Sequence, residues 1–306
     1  MSGTEASRPR FSVVMPTHDR QDLLHRSIGS VRSQTFGNWE LIVVDDGSRD
    51  DTRRIVSKMG DPRIAYVWQE NSGVSAARNH GISLARGEYI AFLDDDDEYL
   101  PEHLAVLDRE LSALGDPVCL AYTLAYQSEG GERSPIETPV GSRESPIVLG
   151  ANPETPSIAI HSSLLRHHRF DVTIKRHEDA ELWGRIALTA PVVRVEARTA
   201  IVHVHPGERL SQGLDAAGLL EMRRTYDYID STRSRRVAIP RSAMRRKRRS
   251  IELGLAYHYA KEAHRLKSLR TLIRIVRADP RVLRDHRLWK AVGLLSPMSH
   301  RSERDV

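Results

Sequence analysis

The stretch Glu88-Tyr89-Ile90-Ala91-Phe92-Leu93-Asp94-Asp95-Asp96-Asp97 decides the fold. Tyr89, Ile90, Phe92 and Leu93 form a continuous apolar run of β-formers, the pattern of a strand buried on both faces in a parallel sheet flanked by helices. Four consecutive aspartates cannot continue such a strand. Their repulsion and desolvation would be prohibitive unless something positive sits among them. The strand therefore ends at Leu93, and its carboxyl edge presents hard oxygen ligands where open α/β sheets bind their ligands. A divalent cation that also grips phosphate oxygens suits this cluster, Mg²⁺ or Mn²⁺ rather than Zn²⁺, because no cysteine lies nearby. The competing reading is an acidic surface loop that holds no metal.

The residues before this stretch repeat the same pattern. Phe11–Met15 reads as a first strand stopped by Pro16, and Trp39–Val44 as a second that ends in Asp45-Asp46-Gly47-Ser48. Ile64–Trp68 reads as a third and Glu88–Leu93 as the fourth. Between them, Asp22–Thr35 sets Leu24, Ile28, Val31 and Thr35 at helical spacing. Ser48, Asp50 and Asp51 offer N-caps for a helix through Met59, and Gly73–Arg86 is a helix ended by Gly87. Pro101 opens another, whose stripe of Leu104, Leu107, Leu111 and Leu114 is closed by Gly115. This alternation predicts a doubly wound, mostly parallel α/β sheet. Right-handed crossovers then place Pro16–Arg20, Asp45–Ser48 and Asp94–Asp97 along one edge.

Further on, Val118–Gln127 predicts a strand, and residues 128–157 read as loop because Pro135, Pro139, Pro146, Pro153 and Pro156 interrupt them. Glu178–Leu188 is a short amphipathic helix around Trp183, and Pro191–Val204 alternates as one or two strands. From about residue 214 the pattern is helical and arginine-rich, which predicts one domain over 1–213 and a basic α-helical extension over 214–306. In that extension, Leu255, Tyr259, Leu266, Leu269, Ile273 and Val276 predict one apolar face.

A chain of 306 residues with 40% hydrophobic and 28% charged content is ordinary for a soluble protein. Only six of its 46 basic residues are lysine, and an arginine excess suits bidentate phosphate contacts. Cys119 is the single cysteine, so no disulfide or cysteine zinc site forms within one chain. Residues 1–10 lack the apolar core of a signal peptide, and no apolar run is long enough to span a membrane, so a cytoplasmic protein is expected. Arg233–Arg249 holds nine basic residues and no acidic one. Without interleaved aromatics, a zinc module or a helix-turn-helix pattern it does not predict sequence-specific nucleic-acid binding. A solvated helix face accounts for it, and peripheral contact with anionic lipid at the inner face of a membrane comes next.

Several residues carry a functional and a structural reading side by side. Asp46 can accept the donors of a nucleobase or ribose, or serve a turn and helix cap. His18, after Pro16 and Thr17, can stack on a base or be an exposed imidazole; Arg78, beside Asn79, can meet base or phosphate or be a solvated helix arginine. Glu178 and Asp179 can cap the helix they begin, or supply a general base for an acceptor hydroxyl. His203 and His205 would share one face of a strand, as a metal contact or as a half-buried pair.

These residues resemble the family 2 glycosyltransferases of GT-A fold. The resemblance is carried, in the family's order, by Phe11–Arg20 (FSVVMPTHDR), Ser33-Gln34-Thr35, Trp39–Asp50 (WELIVVDDGSRD), Asn71–Gly81 (NSGVSAARNHG), Gly87–Asp97 (GEYIAFLDDDD) with Pro101 after it, and Arg176–Arg185 (RHEDAELWGR). It implies inverting transfer of a sugar from a UDP- or GDP-type nucleoside diphosphate donor to a hydroxyl acceptor, such as a polysaccharide, lipid-linked or cell-envelope glycan, with Mn²⁺ or Mg²⁺ as cofactor. Residues 11–100 would bind the nucleotide sugar and 118–213 the acceptor. His18 falls where the family often stacks an aromatic on the base, and Asp46 where a carboxylate binds the base. Asp94-Asp95-Asp96 overlies the DXD-type motif, with Asp96 as metal ligand and Asp94 or Asp95 nearer the ribose. Asp179 matches the catalytic base, and His205 or His203 lies where some members add a metal contact. His18-Asp19 replaces the more usual Tyr-Asn, and residues 128–157 and those after about 214 match no motif of the family.

Two other functions fit the same pattern less well. A sugar nucleotidyltransferase would show a glycine-rich, basic loop after the first strand, and Pro16–Arg20 is no such loop. A nucleotide-sugar-binding protein without turnover would not need a base at Asp179.

Overall fold

The computed structural model describes residues 8–136, 153–187, 189–204, 216–231 and 241–295. They belong to two compact units, Met1–Gly207 and Glu208–Val306. The expected boundary at 213/214 falls in residues 205–215, outside the described residues.

In the first unit, β1 (Phe11–Thr17), α1 (Gln21–Arg32), β2 (Trp39–Asp45), α2 (Thr52–Ser57), β3 (Ile64–Trp68), α3 (Val74–Leu84) and β4 (Tyr89–Phe92) alternate. They give a parallel half-sheet in the order β3-β2-β1-β4. Every residue of β1, β2 and β4 is buried, which is why these strands are read as continuous runs. Ser12 and Glu40 are paired inside: Ser12 Oγ donates to Glu40 Oε1 at 2.6 Å and accepts from Gly87 N at 2.7 Å. Pro16 does not stop β1, which runs on to Thr17. Thr17 O accepts from Asp46 N on the β2 side, so Pro16 faces the β4 side, where pairing has already ended at Val14 and Phe92. Its missing N–H therefore breaks no ladder bond.

The helix expected to reach Thr35 ends at Arg32, and Thr35 is exposed. Gln34 turns inward instead. Its Nε2 donates to Ser30 O and Leu100 O, and its Oε1 accepts from Leu104 N.

Beyond β4 the sheet becomes mixed. The elements are β5 (Glu98–Tyr99), α4 (His103–Ala113), β6 (Leu120–Glu129), β7 (Glu132–Pro135), β8 (Ile158–His161), α5 (Ser162–Leu165), α6 (Glu178–Ala187) and β9 (Val192–His203). The sheet order is β3-β2-β1-β4-β8-β6-β9-β5, with β7 on β6. β8 runs antiparallel to both β4 and β6, β6 and β9 are parallel, and β5 is antiparallel to β9. The β6–β9 ladder shifts register between Tyr122 and Leu124 and again before Ala125. Part of the stretch expected as loop is a hairpin: β6 turns through Gly130 and Gly131, at φ +58° and +91°, into β7. Residues 137–152 lie outside the described residues. On α4, Leu104, Leu107 and Leu111 are buried as expected, but Leu114 follows the last turn and is exposed.

The second unit contains α7 (Ala216–Ser231), α8 (Arg241–Lys261), α9 (Arg265–Ala278) and α10 (His286–Leu295). Leu253, Ala256, Leu272, Ile275, Val282, Leu288 and Ala291 form its core. The single apolar face expected across residues 255–276 is not there. The chain breaks between α8 and α9, with Ala263 at φ +62°, so Leu255 is buried while Leu266, Leu269 and Ile273 are exposed.

Candidate active site

The ends of β1, β2 and β4 lie on one edge because the strands are parallel and in register, Thr17 opposite Asp45 and Val14 opposite Phe92. Leu93 N still donates to Val14 O, and the chain then leaves the sheet as the aspartate run. Pro16 and Thr17 form the end of β1. Asp46, just past β2, is buried and fully engaged by its own chain. Its Oδ1 accepts from Gln69 Nε2 at 2.7 Å and Ser72 N at 2.9 Å, and its Oδ2 from Gly73 N at 2.8 Å. The carboxylate thus holds the loop that enters α3 through Gly73, at φ +90°. Asp45 turns inward, accepting from Ser48 N and from Tyr66 OH. Burial and this carboxylate push the Tyr66 phenol well up. His18 sits at the mouth, half open to solvent, with the Asn71 side-chain amide 3.1 Å from Nε2 and 3.3 Å from Nδ1.

The four aspartates separate among three partners: Arg78, Arg20 and the His203 backbone. Asp94 Oδ1 accepts from Arg78 Nη2 at 2.7 Å. Asp95 Oδ1 and Asp96 Oδ2 share Arg20 Nη1, at 3.0 and 3.1 Å, and Asp96 O accepts from Arg26 Nη2. Asp97 turns back into the protein: its N donates to Asp94 O at 3.1 Å and its Oδ1 accepts from His203 N at 3.0 Å. Burial raises the Asp95 carboxyl to about 6, against the pull of Arg20. Burial, then Asp96 and Asp94, raise that of Asp97 well above the usual carboxylate range. The positive charge that the run requires is therefore supplied in part by arginines distant in sequence. Asp94 and Asp96 stay partly open.

Arg78 is the link to the second acidic pair. It is 4% exposed, donates from Nη1 to Glu178 Oε1 at 2.7 Å, and lies 5.2 Å from the Phe170 ring centroid. It is a buried bridge between two carboxylates, not the solvated helix arginine that residue type suggests. Burial opposes its charge, but Asp94 and Glu178 hold the guanidinium above its ordinary value. Asn79, its neighbour, clamps Phe170 through bonds to that residue's backbone O and N, both 2.9 Å. Phe92 of β4 packs its ring on Trp183 of α6 and on Phe170. Aromatic packing and the arginine bridge together fix the start of α6 beside the end of β4. Asp179 lies there, its Oδ2 accepting from Thr155 Oγ1 at 3.4 Å. His203 is directed to Glu98, Nε2 to Oε1 at 2.6 Å, and His205 lies outside the described residues.

Among the described residues no three His, Cys, Asp or Glu side chains converge as a preformed cation site. Asp94 and Asp96 still offer the hard oxygens that Mg²⁺ and Mn²⁺ take, and such ions are commonly held by one or two carboxylates plus substrate phosphates. The donor set fits an ion that arrives with its diphosphate.

A model of the family described as "Glycosyl transferase family 2" matches residues 12–172, more than half of the chain. The chain belongs to glycosyl transferase family 2. Among its relatives, WcaA of Escherichia coli, provisionally named a colanic acid biosynthesis glycosyl transferase, is 34% identical over 211 residues, 66% of this chain and 75% of that protein. The GalNAc(5)-diNAcBac-PP-undecaprenol beta-1,3-glucosyltransferase of Campylobacter jejuni is 43% identical over 103 residues, 32% of this chain and 33% of that protein. Among solved structures, S. aureus TarS 1-349 in complex with UDP-GlcNAc matches with a TM-score of 0.67 at 18% identity, over 94% of this chain and 88% of that one. The mannosyltransferase PcManGT from Pyrobaculum calidifontis, in complex with GDP-Man and Mn²⁺, matches with a TM-score of 0.60 at 16% identity, over 95% and 86%. The fold of this family 2 member is the GT-A type.

Sequence reasoning about this family 2 member missed Arg20 and Arg26. The need for a cation among four aspartates was visible, but not which one, since 75 residues separate Arg20 from Asp95.

Proposed function

We propose that this glycosyl transferase family 2 protein transfers a sugar from a UDP- or GDP-type nucleoside diphosphate donor to a hydroxyl of a cell-envelope glycan, with inversion at the anomeric carbon. The observation that carries this reading is the Arg78 bridge, which binds Asp94 at the end of β4 to Glu178, next to Asp179. One guanidinium thereby sets the spacing between a donor-side carboxylate and a base.

On this reading the nucleotide lies across the ends of β1 and β2, over Pro16, Thr17 and His18 and beside the loop that Asp46 holds. Asp94, partly open, faces the ribose; Asp95 is buried on Arg20 and acts by keeping the run in place. Asp96 is the residue that would hold Mn²⁺ or Mg²⁺, with His205 as an added contact. Such an ion, when bound, neutralises charge on the departing diphosphate. Asp179 takes the proton of the acceptor hydroxyl. The acceptor oxygen then bonds to the anomeric carbon from the face opposite the diphosphate as the carbon–diphosphate bond breaks, so no enzyme nucleophile is needed. Arg78 is a positioning residue for this step. No helix among the described residues is long and apolar enough to cross a membrane; the protein would meet a lipid-linked acceptor peripherally, from the cytoplasmic side.

The test is Asp179→Asn, which keeps the side chain's size while removing its basicity. Transfer from the donor selected by a nucleoside diphosphate binding screen should fall at least about 100-fold with donor affinity retained. Transfer at the full rate overturns the assignment.

A further inference from the structure

Helix α9 divides its circumference three ways. Ser268, Thr271, Leu272 and Ile275 are buried toward the core of the second unit. The rest of its surface carries two parallel stripes. Leu266, Leu269 and Ile273, three and four residues apart, are exposed, Leu266 by 73%. Beside them run Lys267, Arg270, Arg274 and Arg277, and α9 contains no acidic residue. Arg274 pairs with Glu252, and the Lys267 ammonium sits 5.8 Å from the Tyr259 ring centroid. Among the described residues Arg270 and Arg277 have no acidic partner. Arg270, Arg274 and Arg277 line an open concavity of about 600 Å³ together with Ile273 and Ala278. After α9, Leu283 and Trp289 are also exposed, and the Trp289 indole N–H donates to Leu283 O.

We infer that this face of α9 docks the protein on an anionic lipid bilayer. Leu266, Leu269 and Ile273 would enter the boundary between headgroups and acyl chains while Arg270 and Arg277 meet lipid phosphates. An apolar stripe flanked by cations is the surface that an interface-lying helix presents. A second copy of the chain fits worse, because a two-fold contact would set five cations of one α9 against five of the other. The run Arg233–Arg249, for which lipid contact is the second reading of the sequence after a solvated helix face, is less suited: Arg248 pairs with Asp227 and Arg249 with Asp279, and residues 232–240 lie outside the described residues. The inference rests on the reading of the chain as a transferase working on a membrane-linked acceptor.

The test is sedimentation of the full chain with vesicles of phosphatidylcholine alone or mixed with phosphatidylglycerol. Binding is expected to the mixed vesicles and to weaken with added salt. Arg270→Ala/Arg277→Ala should lose roughly fivefold per charge, about 25-fold in all. Leu269→Ser/Ile273→Ser should also bind less, at unchanged charge. Wild-type protein that stays in solution, or variants that bind like wild type, overturn the inference. So does a wild-type dimer in sedimentation velocity that the serine variant converts to monomer. Affinity for UDP and GDP with Mn²⁺, measured on the same preparations, reports separately on the transferase reading: vesicle binding absent with nucleotide binding intact overturns the docking alone.

Discussion

Replacing Arg78 by methionine removes the cation shared by Asp94 and Glu178 while keeping a long side chain against Phe170. Breaking a buried pair from one side costs about 3–5 kcal/mol. The Asp94 side chain is 28% exposed and can recover water, whereas that of Glu178 is 13% exposed and cannot. The lower end, about 3 kcal/mol, is therefore expected, against a total stability on the order of 5–15 kcal/mol. The variant should fold but unfold at lower urea. Its pH dependence is the sharper readout. Burial raises the Glu178 carboxyl above its ordinary value, Arg78 holds it down, and Asp179 raises it further. A carboxyl raised in the folded state contributes stability that is complete below its unfolded value, about 4.3, and is lost as pH rises through the folded value. Without Arg78 that folded value climbs and the loss extends toward neutrality. The gap between variant and wild type should therefore widen as pH rises above the unfolded value of about 4.3. A gap independent of pH, or no larger than the roughly 1 kcal/mol of an exposed pair, would refute the bridge.

Three further outcomes are expected. In Gly87→Ala the added Cβ would lie 2.4 Å from Ser12 N and 2.7 Å from Ser12 Oγ, against a central strand that cannot yield; a loss of about 1–3 kcal/mol should appear as a lower Tm, and an unchanged Tm contradicts it. Burial pulls the His103 imidazole down to about 3, so its neutral form favours the fold above the unfolded value of about 6.5 and that contribution is lost as pH falls below it. His103→Asn should flatten the acid limb of a stability-versus-pH curve, and an unaltered limb would show that His103 does not titrate there. For Asp96→Ala, UDP or GDP affinity in Mn²⁺ should fall at least about tenfold and become insensitive to EDTA; calorimetry giving wild-type values counts against Asp96 as a metal ligand.

The parallel half of the sheet was legible because β1, β2 and β4 are buried on both faces and each ends at a polar cluster. In the mixed half only β6 and β9 were legible, as the strands expected over Val118–Gln127 and Pro191–Val204. β8 has four residues and β5 two, and both exist through pairing with strands far away in sequence. The acidic run was legible as a site, yet its partners Arg20 and Arg78 come from other segments. For Arg78, residue type pointed to solvent, and only the fold shows two carboxylates converging on it. In α9 the leucines suggested the inner face, but Ser268 and Thr271 occupy it. Ser268 fits there because its hydroxyl donates to Ala256 O at 2.7 Å.

The aspartate run also determines how the sheet is rolled. β4 and β5 are separated in the sheet by β8, β6 and β9, a width of about 19 Å if flat, at about 4.8 Å per strand. The five residues between Phe92 and Glu98 would have to be drawn nearly straight to cross it, at about 3.3–3.6 Å each. They are not straight, because Asp97 N closes a turn on Asp94 O, and Tyr99 OH reaches back to Phe92 O at 2.7 Å. The far edge must curl toward the centre, and the irregular β6–β9 ladder is where strands can bend. The acidic turn is thus a clasp on a half-closed cylinder, and inserting residues between Asp97 and Glu98 would slacken its curvature without touching a single ligand.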